Sequence, residues 1–156
     1  MSAKRKKRGS AINDLIEVME RLRAPDGCPW DREQDHKSIR FHAVEEVYEL
    51  IDAIEMDDDD EMLEECGDLL LQVVFHCQLA KERNAFDFEK AARSITDKLI
   101  RRHPHVFGDS DADNVDAVWA QWEKIKREEK KGTQHERPSV STIIALNFLS
   151  TCSSTN

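Results

Sequence analysis

Turn-forming residues are scarce in this 156-residue chain, with five glycines and four prolines, and no apolar stretch reaches the roughly 18 residues a membrane helix needs. The first scarcity argues against a β-rich fold of many tight turns, and the second predicts no membrane span. The four cysteines, Cys28, Cys66, Cys77 and Cys152, form no CxxC pair, so neither a disulfide framework nor a zinc ribbon is expected. No apolar run follows the basic start Lys4-Arg5-Lys6-Lys7-Arg8, so a secretory leader is not expected either. Free thiols in a reducing cytoplasm are the expectation, with Cys66 and Cys77 as small core residues. One segment lacks a whole class of side chain: from Val44 to Asp68 there is no Lys or Arg, but thirteen carboxylates.

That segment explains the charge. The net is −9, yet outside the segment 23 basic residues outweigh 19 acidic ones. An acidic block in a mildly basic chain disfavours a nucleic-acid partner driven by global charge and directs attention to cations. The length suits one compact domain able to bury its own core. The expected organisation is a disordered basic tail over 1–10, one helical domain over 11–135, and an atypical tail over 136–156, which carries no charge after Pro138.

Apolar spacing predicts an all-α protein, a bundle of four to five helices. Ile12, Leu15, Ile16, Met19 and Leu22 give a first amphipathic helix over 11–23. Two prolines and a glycine then predict a loop through Cys28, Trp30 and Asp31. Ser38 is the expected N-cap of a second helix reaching Met56, with Val44, Val47, Leu50, Ile51 and Ile54 as its buried stripe. Asp57–Asp60 is read as a tight acidic turn. A third helix over 61–83 contains the nearly all-apolar run 69–75 and is expected in the bundle centre or a dimer interface. Asp87 is placed to cap a fourth helix to Arg102, a loop follows over 103–109, and the last helix covers about 115–131.

Within the acidic block, Glu46 and Glu49 are three residues apart and share one side of the second helix, which Glu45 joins. Glu65 and Asp68 repeat that spacing on the third helix, beside the apolar run. Antiparallel packing across a short turn sets the two pairs face to face. Four carboxylates at a partly dry site repel one another, and a divalent cation relieves the conflict. All-oxygen donors favour Mg²⁺, with Mn²⁺ as a substitute, over zinc.

Glu45-Glu46-Val47-Tyr48-Glu49 followed by Glu65-Cys66-Gly67-Asp68 resembles the EExxE…ExxD signature of MazG-type nucleoside triphosphate pyrophosphohydrolases. Three further blocks are similar to the family: Leu22 to Asp31 with GCPWD, Asp97 to Gly108 with RRHPHVFG, and Trp122 to Lys126. The resemblance runs from Ile12 to about Lys131 and is to a single module of the N-terminal type. It implies hydrolysis of a nucleoside triphosphate to monophosphate and diphosphate, with Mg²⁺, in a cytoplasmic helical homodimer. It carries the metal ligands onto Glu46, Glu49, Glu65 and Asp68. The phosphate contacts fall on Lys98 and Arg102, and base stacking and charge on Trp122 and Lys126. Glu45 is assigned to the attacking water. His103 and His105, which flank Pro104, are read as structural, and Trp30 and Cys28 as pins of the first loop.

Two other functions share these features. A related helical enzyme with one narrow substrate, dUTPase-like or a phosphoribosyl-ATP pyrophosphohydrolase, would keep the carboxylates. A non-catalytic dimerisation module would use the acidic helices and the apolar third helix only as an interface.

Overall fold

The computed structural model describes residues 10–131. The expected tails over 1–10 and 136–156, and Cys152, lie almost wholly outside these residues. Seven helices run in order: α1 (Ala11–Leu22), α2 (Pro29–Glu33), α3 (His42–Glu55), α4 (Asp59–Glu82), α5 (Phe88–Arg102), α6 (Pro104–Phe107) and α7 (Val115–Lys130). No strand occurs among the described residues, and the five long helices are the ones the apolar spacing predicts. Two compact units divide the chain between Ile95 and Thr96, within α5.

In the first unit α4 packs against both α3 and α1. Met19, Ile39, Val74, Phe75 and Leu79 form the buried centre, with Ile12, Leu15, Ile16, Leu71 and Phe88 packed against it. Arg23, at the end of α1, ties three elements together. Its Nε and Nη2 donate to the two carboxylate oxygens of Glu82 on α4, each at 2.7 Å, and its Nη1 donates to the backbone carbonyls of Asp31 and Gln34. Lys81 pairs with Glu20, joining α4 to α1 a second time. The segment before α3 is fixed by Ile39 in the core and by His36, whose ring stacks on His76 with the two Nδ1 atoms 2.9 Å apart.

Both ends of α4 are built by local backbone chemistry. Asp57 adopts the left-handed conformation (φ 53°), the N–H of Asp58 donates to the Ala53 carbonyl, and that of Asp57 to Ile54, closing α3 with a Schellman motif. The Asp58 carboxylate then accepts the N–H groups of Asp60 and Glu61 and starts α4. Asn84 (φ 56°) closes α4 in the same way, with Ala85 donating to Ala80. Asp87 accepts from the Lys90 N–H at the start of α5, and Asn114 from the Ala117 N–H at the start of α7.

Four expectations need correction. Ser38 does not cap α3: its hydroxyl bonds the backbone of Asp35, and α3 starts at His42 after Phe41 with no side-chain cap. The predicted loops hold two short helices, α2 and α6, each with proline at its first position, where the missing N–H costs nothing. On α3 most of the expected stripe is exposed, namely Val44, Val47, Ile51 and Ile54, while Leu50 is half-buried and only Ala53 is fully buried. Cys77 is buried as expected, and its burial pushes the thiol pKa up, but Cys66 is exposed.

Candidate active site

The acidic constellation lies in the first unit, where α3 and α4 pack side by side across the turn at Asp57 and Asp58. Glu46 and Glu49 from α3 and Glu65 from α4 each bring a carboxylate oxygen to within 4.8 Å of the others. Glu65 is buried, at 8% exposure, and its Oε2 has no hydrogen-bond partner among the described residues. Loss of hydration raises the pKa of Glu65, which is buried, and of Glu49, which stays exposed as a residue, and surrounding carboxylates raise both further: Glu46, Glu45 and Asp68 act on Glu49, and Glu49, Asp68, Glu46 and Glu61 on Glu65. A buried, unpartnered carboxylate oxygen beside two like charges is costly unless positive charge joins it. The all-oxygen donor set therefore fits a hard divalent cation.

Asp68, the fourth expected ligand, is half-buried and near enough to act on the other two electrostatically, but it lies outside the group of three. Glu45 is exposed and has its Oε2 3.4 Å from His42 Nδ1. Sequence reasoning missed Gln72. Its Nε2 donates to Glu46 Oε1 at 3.1 Å, and the residue is buried seven positions after Glu65 on the same face of α4. The signal was present: Gln72 is the one polar residue in the run 69–75. Glu46 also borders a recess of about 190 Å³ whose wall includes Trp30, His42, Leu22, Leu71 and Phe75.

The four residues expected to contact nucleotide lie in the second unit. Arg102 Nη2 and Nε donate to Glu129 Oε2 at 2.6 and 3.1 Å, while Arg101 takes the other oxygen of Glu129 at 2.6 Å. The Arg102 guanidinium stands 5.1 Å from the Trp122 ring centroid and Lys126 Nζ stands 4.5 Å from it. Arg102, Trp122 and Lys126 thus form one cation–aromatic cluster, and Lys126 also meets Glu123 at 3.2 Å. Lys98 is half-buried on α5, one turn before Arg102. The histidines flanking Pro104 make local bonds, His103 with the Leu99 carbonyl and His105 with Gln121, which bonds Ser110 in turn.

Helices alone, with glutamates from two of them converging, define an all-α protein with an acidic centre. Residues 34–107 match the MazG nucleotide pyrophosphohydrolase domain, and through it the chain belongs to the MazG family. It is 53% identical over 125 residues to the nucleoside triphosphate pyrophosphohydrolase/pyrophosphatase MazG of Thermotoga maritima, which covers 80% of this chain and 48% of that protein. Over 120 residues it is 52% identical to the nucleoside triphosphate pyrophosphohydrolase of Escherichia coli K12, covering 76% of this chain and 46% of the relative. The chain thus spans about half the length of these curated relatives. Among solved structures, a MazG-related protein from Thermotoga maritima has the same fold, with a TM-score of 0.62 at 23% identity over 74% of this chain and 98% of that one. No helix of the described residues is long and apolar enough to cross a membrane.

Proposed function

We propose that this chain is a Mg²⁺-dependent nucleoside triphosphate pyrophosphohydrolase, converting NTP and water into NMP and diphosphate in nucleotide housecleaning. The observation that carries this reading is the convergence of Glu46, Glu49 and Glu65 within 4.8 Å, with a buried oxygen of Glu65 left without a partner. The activity for which the Thermotoga and Escherichia relatives are named supports it.

Glu46, Glu49 and Glu65, with Asp68 beside them, would hold the cation. Bound there, it would neutralise the carboxylates and draw charge from the phosphate oxygens, and Mn²⁺ has the oxygen preference to replace it. Gln72 fixes the Glu46 carboxylate by its hydrogen bond. Lys98, Arg102, Trp122 and Lys126 are the proposed nucleotide contacts, the cations offering charge to a substrate that carries about four negative charges. Water attacks the α-phosphorus, the bond to the bridging oxygen breaks, and diphosphate leaves. Glu45 is proposed to accept the proton of that water: it sits one residue before Glu46 and is exposed to solvent, with His42 as a neighbour. The outward apolar stripe of α3, from Val44 to Ile54, supports a homodimer. The free thiols of the described residues suit the cytoplasm.

The test is diphosphate release from the eight common NTPs and dNTPs, with Mg²⁺ and with chelator, for wild type and Glu49→Ala. The expected result is release by wild type, abolished by chelator and by the substitution. Release confined to one nucleotide would favour a narrow-substrate helical enzyme, and no release on any substrate would overturn the catalytic reading.

A further inference from the structure

We infer that Gln72 is a positioning residue of the cation site: it holds one oxygen of Glu46, so that Glu46 meets the ion with the other, and thereby favours Mg²⁺ over Ca²⁺. The inference rests on the cation reading above and adds what sets the choice of ion.

Three observations carry it. First, Gln72 is buried, at 9% exposure, in a run that is otherwise apolar from Leu69 to Phe75. Burying an amide costs free energy unless it finds a partner, and a leucine or methionine would pack there without that cost. Second, its partner is a site residue. Gln72 Nε2 on α4 donates to Glu46 Oε1 on α3 at 3.1 Å, 26 residues away in the chain. A carboxylate only accepts, so the amide has to turn its NH₂ group towards Glu46. Third, the group to which Glu46 belongs calls for positive charge. Glu65 brings an oxygen within 4.8 Å of Glu46, is itself buried, and leaves its Oε2 without a hydrogen-bond partner among the described residues. Seven residues make nearly two helical turns, so Gln72 and Glu65 leave α4 on one face and Glu46 meets both.

The residue type matters. An amide fixes a carboxylate without adding charge. A lysine at this position would set its own ammonium among the glutamates in the ion's stead, and a glutamate would add to their repulsion. With Oε1 engaged by the amide, Glu46 offers Oε2 as a single-oxygen donor. Ca²⁺ gathers about six to eight oxygens and readily takes both from one carboxylate. Mg²⁺ keeps about six in a tight octahedron, whose right angles the narrow bite of a two-oxygen carboxylate strains. Holding Glu46 to one oxygen therefore works against the larger ion.

The experiment loads the full chain with Mn²⁺, reads the bound ion by electron paramagnetic resonance, and displaces it with Mg²⁺ or with Ca²⁺. Wild type, Gln72→Met and Val74→Ala are compared, each with its melting temperature in chelator. Gln72→Met keeps the length of the side chain without the donor. It is expected to lower the Mg²⁺ affinity about tenfold, the low end for losing a residue that orients a metal ligand, and to hold the Ca²⁺ affinity. The ratio of the two thus moves towards Ca²⁺. Val74→Ala truncates a core residue two positions on, and is expected to melt lower yet keep the wild-type ratio. Gln72→Asn, whose amide is drawn back by one methylene, takes the place of Gln72→Met if the melt shows that variant unfolded. A ratio that stays at the wild-type value or moves towards Mg²⁺, or an equal shift in Val74→Ala, overturns the inference and leaves the cation reading intact. A wild type that takes up no Mn²⁺ overturns both.

Discussion

Arg23 and Glu82, 59 residues apart, meet through two parallel hydrogen bonds of 2.7 Å, and the same guanidinium holds the backbone of α2. The side chain of Arg23 is buried and also lies over the Phe75 ring at 5.5 Å. One residue thus fixes the end of α1, the short helix carrying Trp30, and the far end of α4.

Replacing Arg23 by Met keeps the aliphatic packing but leaves Glu82 with only its bond from Gln78 and takes a donor from two backbone carbonyls. The expected cost is about 1.5–3 kcal/mol, the range for hydrogen bonds to charged groups. Urea denaturation should show an earlier midpoint with an unchanged slope, and an unchanged midpoint would show that Arg23 is dispensable.

Acid should weaken the fold through two glutamates. Arg23 holds the Glu82 carboxyl below its ordinary value of 4.5, with Gln78 assisting, and Arg102, then Arg101, do the same for Glu129. A carboxyl lowered in the folded state contributes stability above its unfolded pKa and loses it as pH falls through the folded one. Wild type should therefore lose stability below about pH 4.5, and Glu82→Gln and Glu129→Gln should each flatten that limb. Denaturation midpoints followed from neutral to acid pH decide it. Slopes identical to wild type in both variants would contradict the assignment.

Gly27 has no room for a side chain, since an added Cβ falls 2.1 Å from the Leu22 carbonyl oxygen and 2.6 Å from that of Arg21. Both are backbone atoms, so relief requires the turn into α2 to move. Gly27→Ala should cost at least about 1–3 kcal/mol, as overpacking does. A variant with wild-type melting temperature would refute the rigid-turn account.

Repulsion among the three glutamates predicts opposite responses with and without cation. Glu49→Gln should melt higher than wild type in chelator, because a like charge is gone. Wild type alone should gain melting temperature on addition of Mg²⁺. Thermal melts under both conditions test this, and an equal Mg²⁺ gain in the variant would remove Glu49 from the cation site.

Met19→Ala empties a position that is 2% exposed in the centre of the first unit. Truncations of this kind cost about 2–5 kcal/mol. Calorimetry should register the loss as a lower melting temperature, and a drop of under a degree would place Met19 outside the energetic core.

Much of this was legible in the sequence because local chemistry decided it. Asp58, Asp87 and Asn114 start their helices by capping bonds of their own side chains, and the 46/49 and 65 spacing brings three glutamates together through helix geometry alone. What escaped depends on the rest of the fold. Arg23 looked like any surface arginine until Glu82 arrived from 59 residues away. Whether Val47 and Ile51 face the core or the outside follows from the side of α3 that α4 occupies, and periodicity cannot choose between two sides. The loop that carries Trp30 holds two prolines, and the second of them, Pro29, starts a short helix that periodicity did not reveal.

The turn between α3 and α4 leaves no spare residue. Asp58 is at once the last residue of the motif that closes α3 and the residue that starts α4. The count from Glu49 to Glu65 is therefore a fixed length, in the way a ruler is. Each residue inserted or deleted within it turns α4 by about 100° and shifts it by about 1.5 Å relative to α3. A change of one would carry Glu65 away from Glu46 and Glu49, so loop-length variation that most surface turns absorb would here dismantle the acidic centre at a stroke.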